Sequence, residues 1–215
     1  MRGNAVNRPV FARLWLWVSP GMDRAGLAGL RAEVLAGLAG SVIEVGAGNG
    51  LNFGHYPPQV TRVVAVEPNP YLLRVARDAA ARAPVPVEVV DAVADRLPAA
   101  GASFDAAVTS LVLCSVPDPQ AALRELYRVI RPGGELCFLE HVRASTPGLR
   151  RVQRGLDATI WPALAGGCHV GRDTAAEIEK AGFTIDRLDR LRFPATCAVT
   201  PSSPHILGRA IRPAQ

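Results

Sequence analysis

The sequence predicts an α/β fold in which a largely parallel sheet is covered by helices on both faces. Short apolar runs, typical of buried strands, alternate with segments whose apolar residues recur at helical spacing. Right-handed β–α–β connections between such segments place the strands in parallel. The last two strand segments have no helical pattern between them, so one strand at the end of the chain is expected to be antiparallel.

The first element is an N-terminal helix. Its apolar residues Phe11, Leu14, Trp15, Val18 and Met22 recur at helical spacing. We expect this helix to pack on the domain as a lid over a site. A helix lying on a membrane surface is the alternative, and its thin polar face argues against strong membrane binding.

Seven strand segments and three further helices follow. Pro68 and Pro70 allow the first of these helices to begin, Asp118 caps the second, and Gly182 ends the third. The predicted strands cover residues 41–45, 61–67, 85–90, 104–112, 135–142, 183–192 and 206–211, and the helices cover 71–82, 118–130 and 174–181. In such sheets, ligands bind beyond the carboxyl ends of the strands.

The composition limits the classes of protein to which the chain can belong. A length of 215 residues suits a single domain over 1–215, and 49% hydrophobic with 20% charged residues excludes a disordered chain. Apolar stretches are interrupted before the about 18–20 residues that a membrane-spanning helix needs. The net charge of +5 comes mostly from arginines dispersed along the chain, so compositional bias is favoured over a nucleic-acid partner.

The cysteines indicate neither a metal site nor a disulfide framework. Cys114, Cys137, Cys168 and Cys197 form no C-x-x-C pair, so we expect no bound metal. A reducing compartment is the simpler interpretation, and we expect a cytoplasmic protein.

A glycine-rich loop follows the first predicted strand, with Gly46, Gly48 and Gly50. In a dinucleotide-binding loop the third glycine comes one residue later, and Glu44 before the loop would oppose a pyrophosphate. Glu67 ends the second strand, where a carboxylate can accept hydrogen bonds from ribose hydroxyls. The alternative role for Glu67 is an acidic residue stabilised by a helix N-terminus. Together these features predict a nucleoside ligand that lacks a pyrophosphate.

The segment from Val42 to Val142 resembles the core of class I methyltransferases, which use S-adenosylmethionine (SAM). The segments VIEVGAGNG, VVAVEPNP, DRLP, FDAAVTSLVLCSVPDP and ELYRVIRPGGELCFLEH carry the resemblance. It implies a Rossmann-like sheet of seven strands in the order 3-2-1-4-5-7-6, with strand 7 antiparallel. The segments outside these motifs complete the expected division of the domain. The N-terminal helical segment over 1–40 is expected to be a lid, 41–142 the SAM-binding core, 143–171 a substrate cap and 172–215 the strands that complete the sheet.

The resemblance also assigns the SAM site residue by residue. The glycine loop is expected to lie against the methionine part of SAM, Glu44 to reach its ammonium, and Glu67 to bind the ribose hydroxyls. The segment with Val93 departs from the family, which often has an acidic residue there. The expected SAM-binding residues are Glu44, Gly46, Ala47, Gly48, Asn49, Gly50, Asn52, Glu67, Pro68, Asn69, Val93, Ala94, Asp95, Ser110 and Leu111.

A narrower set of motifs bears on the methyl acceptor. The segments NGLNFGHYPP, LVLCSV, GC-x-x-x-R and PH-I-x-G resemble the methyltransferase-like proteins that methylate small alkyl thiols in animals, and their bacterial relatives. The animal members carry an N-terminal membrane anchor; for this chain we expect at most peripheral membrane contact through the N-terminal segment. The acceptor is therefore expected to be a small molecule, a thiol or a phenolic or quinol oxygen.

His141 is the candidate catalytic base, because it ends the fifth strand and an imidazole can take a proton near neutral pH. A structural histidine bonded to the backbone is the alternative. The expected acceptor-binding residues are Trp15, Ser115, Trp161, Cys168, His169 and His205.

Two other functions remain open at this point. An RNA or protein methyltransferase of the same fold is supported by a basic cluster of Arg143, Arg150, Arg151 and Arg154. A SAM-binding module without catalytic activity is the other, although the intact glycine loop argues against it.

Overall fold

A computed structural model describes residues 8–159, 161–195 and 198–214 of the chain. Within these residues, seven strands form one sheet: β1 (Gly40–Val45), β2 (Val60–Val66), β3 (Val87–Val90), β4 (Phe104–Ser110), β5 (Ile130–His141), β6 (Thr184–Arg192) and β7 (Pro204–Ile211). Their order is β3-β2-β1-β4-β5-β7-β6. Strand β7 runs antiparallel to β5 and β6, and the other pairs are parallel. The predicted strand order and the antiparallel β7 are confirmed.

Helices cover both faces of this sheet and form two apolar layers. They are α1 (Pro9–Met22), α2 (Ala28–Leu35), α3 (Pro70–Ala80), α4 (Pro119–Val129), α5 (Pro147–Asp157), α6 (Trp161–Leu164) and α7 (Thr174–Lys180). One layer packs α4 and α7 on the sheet, with Leu123, Leu126 and Ile178 fully buried. The other packs α2 and α3, with Leu35 and Ala76 fully buried.

The N-terminal helix α1 is present, but its buried face differs from the predicted one. Ala12 and Ser19 are its buried residues, whereas Leu14 is half exposed and Trp17 is 81% exposed. Ala12 and Ser19 share the face of the helix that is turned inward, and Leu14 lies on the opposite side, so it faces outward. None of the helices in the described ranges is both long enough and apolar enough to cross a bilayer.

Several strand boundaries differ from the predicted ones, including the starts of β3 and β7 by two residues each, and two of the differences have clear local reasons. Strand β4 ends at Ser110, two residues early, because Leu111 adopts a φ of +61° that no strand accommodates. Strand β5 begins at Ile130 rather than 135, because Ile130 pairs with Phe104 before a register shift opposite Ala106. Residues 131–134, which were predicted to end the helix, thus belong to the irregular first part of β5.

Candidate active site

The glycine-rich loop after β1 has a backbone that side chains would obstruct. Gly46 has a φ of +72°, and a Cβ there would lie 2.4 Å from Val112 Cγ2. Gly50 has a φ of +77°, and its Cβ would lie 2.7 Å from the ring of Phe53. Glycine alone tolerates both the left-handed conformation and the close contacts. The loop therefore presents bare backbone at the carboxyl end of β1, where a ligand can approach closely.

Glu67 follows β2 and fixes this loop from the neighbouring strand. The backbone N–H of Gly48 donates to Oε2 at 2.8 Å, and the N–H of Asn69 donates to Oε1 at 2.8 Å. Burial raises the pKa of the Glu67 carboxyl to about 7, while these two hydrogen bonds act in the opposite direction. Each carboxylate oxygen keeps further acceptor capacity, so the ionised group can still bind two hydroxyls.

Glu44 is the centre of a buried polar network. The hydroxyl of Tyr56 donates to Oε2 at 2.7 Å, and Nδ2 of Asn52 donates to Oε1 at 3.0 Å. Asn52 also accepts a hydrogen bond from Arg31 at 2.9 Å and contacts Ser110 Oγ at 3.2 Å. Burial raises the pKa of Glu44 to about 7. Sequence reasoning found Glu44, Asn52 and Ser110 but missed Arg31, which lies in no motif, and Tyr56, which lies in the segment NGLNFGHYPP but was given no role.

The other predicted SAM-binding residues lie along the same edge of the sheet. Ala94 and Asp95 sit in a tight turn after β3, closed by an antiparallel bridge between Val93 and Arg96. Pro68 is half-buried just after β2. The side chain of Asn69 caps α3, because its Oδ1 accepts from the N–H groups of residues 71 and 72. Since β3, β2, β1 and β4 are neighbours, the structure brings this set together.

A strained loop follows β4. Leu111 has a φ of +61°, which is a costly conformation for leucine. The next three N–H groups, of Val112, Leu113 and Cys114, donate to the carboxylate of Glu140 at 3.1, 3.0 and 3.3 Å. Glu140 is fully buried, and burial raises its pKa while these hydrogen bonds lower it. Glu140 thus holds the loop in shape.

Helix α1 contacts both the glycine loop and the backbone at Gly166. Asn49 Nδ2 donates to Ser19 Oγ at 3.0 Å, and the indole of Trp15 lies against the glycine loop. Phe11 packs on the backbone at Gly166 and stacks with Trp15 at 6.1 Å between ring centroids. The predicted lid helix therefore contacts both sides of the candidate site.

Sulfur and imidazole groups meet at the carboxyl end of β5. Cys168 Sγ lies 3.4 Å, and Cys114 Sγ 3.8 Å, from Nδ1 of His141. Strand β7 is antiparallel, so its first residues lie opposite the end of β5, and the ring of His205 is 4.3 Å from that of His141. The neighbouring Cys114 thiol and His141 lower the pKa of Cys168, whereas the interaction with Cys168 and burial raise the pKa of Cys114.

The other predicted acceptor residues surround this cluster. Trp161 packs on the apolar group formed by Cys114, Cys168 and Val170. The backbone N–H of His169 donates to the Cys114 carbonyl at 2.8 Å. Ser115 Oγ lies 3.4 Å from Cys114 Sγ. Trp15 instead lies at the glycine loop.

His205 is buried and accepts no proton near neutral pH. Its Nδ1 lies 2.8 Å from the Ser203 carbonyl, which makes Nδ1 the protonated nitrogen. Burial, and then the charge of His141, lower the pKa of His205 to about 3. Its Nε2 is therefore a bare acceptor, and it has no hydrogen-bond partner among the described residues.

Two polar residues of α5 anchor residues 143–171, and sequence reasoning missed both. Gln153 is fully buried, accepts from the N–H of residue 144, and donates to the carbonyls of residues 142, 170 and 201 at 3.2, 3.0 and 2.9 Å. Asp157 accepts from the N–H groups of residues 170 and 171 at 2.8 and 2.9 Å. A helical pattern alone cannot reveal such roles, since they depend on loops that meet α5 only in the fold.

Comparisons with known proteins agree with this geometry. Residues 43–138 match the methyltransferase domain family. Thiol S-methyltransferase TMT1B of Homo sapiens is 34% identical over 183 residues, which span 83% of this chain and 74% of that protein. The ubiquinone/menaquinone biosynthesis C-methyltransferase UbiE of Methylobacterium nodulans is 30% identical over 139 residues, 64% of this chain and 53% of that protein. A SAM-dependent methyltransferase structure from Thermotoga maritima superimposes with a TM-score of 0.67 at 23% identity, covering 93% of this chain and 94% of that one.

The sheet order and the site along its edge define a class I methyltransferase fold. The chain belongs to the SAM-dependent methyltransferase family, within which it is similar to the thiol S-methyltransferases. SAM is its methyl donor. The site suits this donor, because bare glycine backbone and the free acceptor capacity of Glu67 lie together while no phosphate-binding loop is present in the sequence.

Proposed function

We propose that this enzyme transfers the methyl group of SAM to the sulfur of a small thiol. The observation that carries the proposal is the acceptor end of the site, where Cys114, Cys168 and Val170 form an apolar group beside the imidazole of His141. Apolar walls with few polar groups fit a small hydrophobic ligand. The similarity to human thiol S-methyltransferase TMT1B over 83% of the chain supports the same acceptor class.

The proposed site has a SAM-binding end at the glycine loop and an acceptor end at His141, and different residues serve each end. Bound SAM supplies an electrophilic sulfonium methyl group. Glu67 would bind the ribose hydroxyls, and the glycine loop would contact the methionine part through its backbone. Ser110 ends β4 and the strained Leu111 follows it, between the SAM end and the acceptor end of the site, so both would line the path of the methyl group. Holding donor and acceptor in reactive geometry supplies most of the rate enhancement.

The acceptor must be a thiolate when it attacks. Its sulfur forms the new bond to the methyl carbon, the old carbon–sulfonium bond breaks, and the released electron pair stays on the departing thioether. The thiol proton must leave beforehand. His141 is the residue that we assign to this activation, because it is the half-buried member of the group at the end of β5.

Helix α1 would act as a lid over both ends, and Trp15, Trp161, His169 and Ser115 would contact donor or acceptor.

The proposed acceptor is a small molecule rather than RNA. An RNA acceptor would be supported by a basic pocket of about 360 Å³, which is lined by Arg143, Arg150 and Arg154. Arg143, however, is paired with Asp173, and Arg150 donates to the backbone carbonyl of residue 144.

A screen with isotope-labelled SAM tests the proposal. Small thiols, phenols and quinols of similar size are offered separately, and labelled products are identified by mass spectrometry. Methylation of thiols at sulfur is expected. The Glu67→Ala variant, which should bind SAM weakly, is the control for enzyme-dependent transfer. Transfer confined to oxygen or carbon would contradict the proposal, and a salt-sensitive RNA substrate would replace it.

A further inference from the structure

The two sulfurs and the imidazole nitrogen at the end of β5 have the spacing of metal ligands. Cys168 Sγ and Cys114 Sγ lie 3.4 and 3.8 Å from His141 Nδ1, and the three ligand atoms all lie within 4.8 Å of one another. Zn–S bonds of about 2.3 Å and Zn–N bonds of about 2.0–2.1 Å at tetrahedral angles place neighbouring sulfur and nitrogen ligands about 3.6 Å apart. The two observed sulfur–nitrogen separations bracket that value, so the three side chains are already close to the spacing that one ion requires.

We propose that Cys114, His141 and Cys168 bind a zinc ion whose fourth coordination position takes the acceptor thiol. This inference rests on the proposed function for the identity of that fourth ligand. Two cysteines and one histidine with an open position form a known catalytic zinc set. Sequence analysis could not reveal this set, because the three ligands come from separate segments and no C-x-x-C pair is present.

The open coordination position of the ion is expected on the side of the cluster where His141 lies. Cys114 and Cys168 are buried, with 1% and 6% of their surface exposed, whereas His141 is only half-buried. A structural zinc site is closed by four protein ligands. Here the described residues supply three, and the accessible side faces the end of the sheet where the acceptor is proposed to bind.

The residues around the cluster fix the ligands from outside. Three N–H groups of the loop with Cys114 donate to Glu140, and Arg172 donates to the Leu113 carbonyl at 2.5 Å. Beside His141, the bare Nε2 of buried His205 offers an acceptor for the second ring N–H of a metal-bound imidazole. Metal-bound histidines usually have such a partner.

Zinc at this position would take over the deprotonation of the acceptor thiol, because His141 would then hold the ion through Nδ1 and would act as a ligand instead of as a base. Two cysteine thiolates neutralise the dication, and an acceptor thiol that coordinates to the ion loses its proton to solvent. The bound acceptor remains a thiolate with one net negative charge. That charge is opposite to the sulfonium charge of the donor, so the two are neutralised together as the methyl group moves.

Cobalt substitution tests the metal site directly. The full chain is stripped of metal in a phosphine reductant, so that all thiols stay reduced, and is then titrated with Co²⁺. One cobalt per chain with thiolate-to-cobalt charge-transfer absorption is expected, as is about one zinc in the protein as isolated. Cys114→Ala and Cys168→Ala should weaken binding by more than the about 10–100-fold typical of a lost outer partner. Cys137→Ala is the matched control, because Cys137 is equally buried but lies on β5 outside the cluster.

Adding a small alkanethiol without SAM then tests the open position. A stronger charge-transfer band is expected as a third thiolate binds. No charge-transfer band, a band retained in both cysteine variants, or full thiol methylation by metal-free protein would overturn the zinc site and leave the proposed function standing. A charge-transfer band that does not change when thiol is added would contradict the open coordination position. A band that responds to thiol in a protein that methylates no thiol would support the metal site and contradict the proposed function.

Discussion

At the level of single residues, the proposed SAM-binding end contains two buried carboxyl groups with raised pKa values. Glu67 and Glu44 end or follow neighbouring strands, and burial raises the pKa of each to about 7. Both carboxylates could be predicted, Glu44 from its place near the end of β1 before the glycine loop and Glu67 from its place after β2. Their hydrogen-bond partners could not, because Tyr56 and the N–H of Gly48 reach them only once the loop has folded.

Glu67→Ala should weaken SAM binding by about 1.5–3 kcal/mol, the range for hydrogen bonds to a charged group. Titration calorimetry measures the change. Glu88→Ala is the control, because Glu88 lies exposed on the neighbouring strand β3 and should leave the affinity unchanged. Equal SAM affinity in Glu67→Ala and the parent protein would contradict the assignment of the ribose site.

The affinity for SAM should also depend on pH through Glu67. Ribose hydroxyls donate to the ionised carboxylate, and the free protein holds that carboxyl with a pKa of about 7. Affinity should therefore rise between pH 6 and pH 8 and level off above that range. Glu67→Gln should remove most of this slope while Glu88→Gln keeps it. An identical slope in Glu67→Gln would assign the pH dependence to another group.

Glu44 should make the unliganded protein less stable as the pH rises. Its pKa is about 7 in the folded state against 4.5 for the exposed group, so its contribution is fully present below pH 4.5 and is lost as the pH passes through 7. Relative to Glu44→Gln, the parent protein should lose up to about 3 kcal/mol of unfolding free energy across that window. Urea unfolding at several pH values measures this difference. A difference that does not vary with pH would contradict the buried, protonated state.

At the level of elements, helix α1 and residues 143–171 contact the candidate site from outside the sheet, as the proposed lid and cap. The alternation of strands and helices predicted the sheet, and family resemblance predicted its strand order. The anchors of the enclosing segments were not predictable, because Gln153 and Asp157 hydrogen-bond to backbone groups far away in the sequence. The outward turn of Leu14 escaped prediction as well, since helical spacing alone does not say which stripe packs inward.

Two tryptophans of α1 allow a matched test of the lid. Trp15 lies against the glycine loop, whereas Trp17 is 81% exposed two residues further on. Trp15→Ala should raise KM for SAM and lower kcat severalfold, because the lid loses its contact with the loop. Trp17→Ala should leave both constants unchanged. Steady-state kinetics checks this, and equal effects of the two substitutions would contradict a lid role for the inner face.

Gln153 should couple the stability of the cap to catalysis. Gln153→Ala leaves several buried backbone groups without partners, at about 1–3 kcal/mol for each unsatisfied group. We expect a lower unfolding free energy in urea and a lower kcat with SAM affinity retained. Arg151→Ala, on the exposed face of the same helix, is the control. A variant with parental stability would show that these hydrogen bonds are dispensable.

For the whole molecule, the sheet separates the two chemistries of the reaction. The ends of β3, β2, β1 and β4 carry the proposed SAM-binding residues, and the end of β5, the start of β7 and residues 143–171 carry the proposed acceptor residues. Antiparallel β7 is what brings His205 beside His141, 64 residues away in the sequence. The acceptor cluster was only partly predictable for the same reason: Cys114 and Cys168 meet through the fold, whereas each is an isolated cysteine in the sequence.

Acceptor choice is the most direct test of the central claim, which is methyl transfer to thiol sulfur. A matched pair of one thiol and one alcohol or phenol with the same carbon skeleton is compared at saturating SAM. We predict that kcat/KM is larger for the thiol by at least about 100-fold, which corresponds to about 2.7 kcal/mol of transition-state discrimination. Mass spectrometry should locate the new methyl group on sulfur. Equal kcat/KM for the two partners, or preferred methylation of the oxygen compound, would contradict the claim.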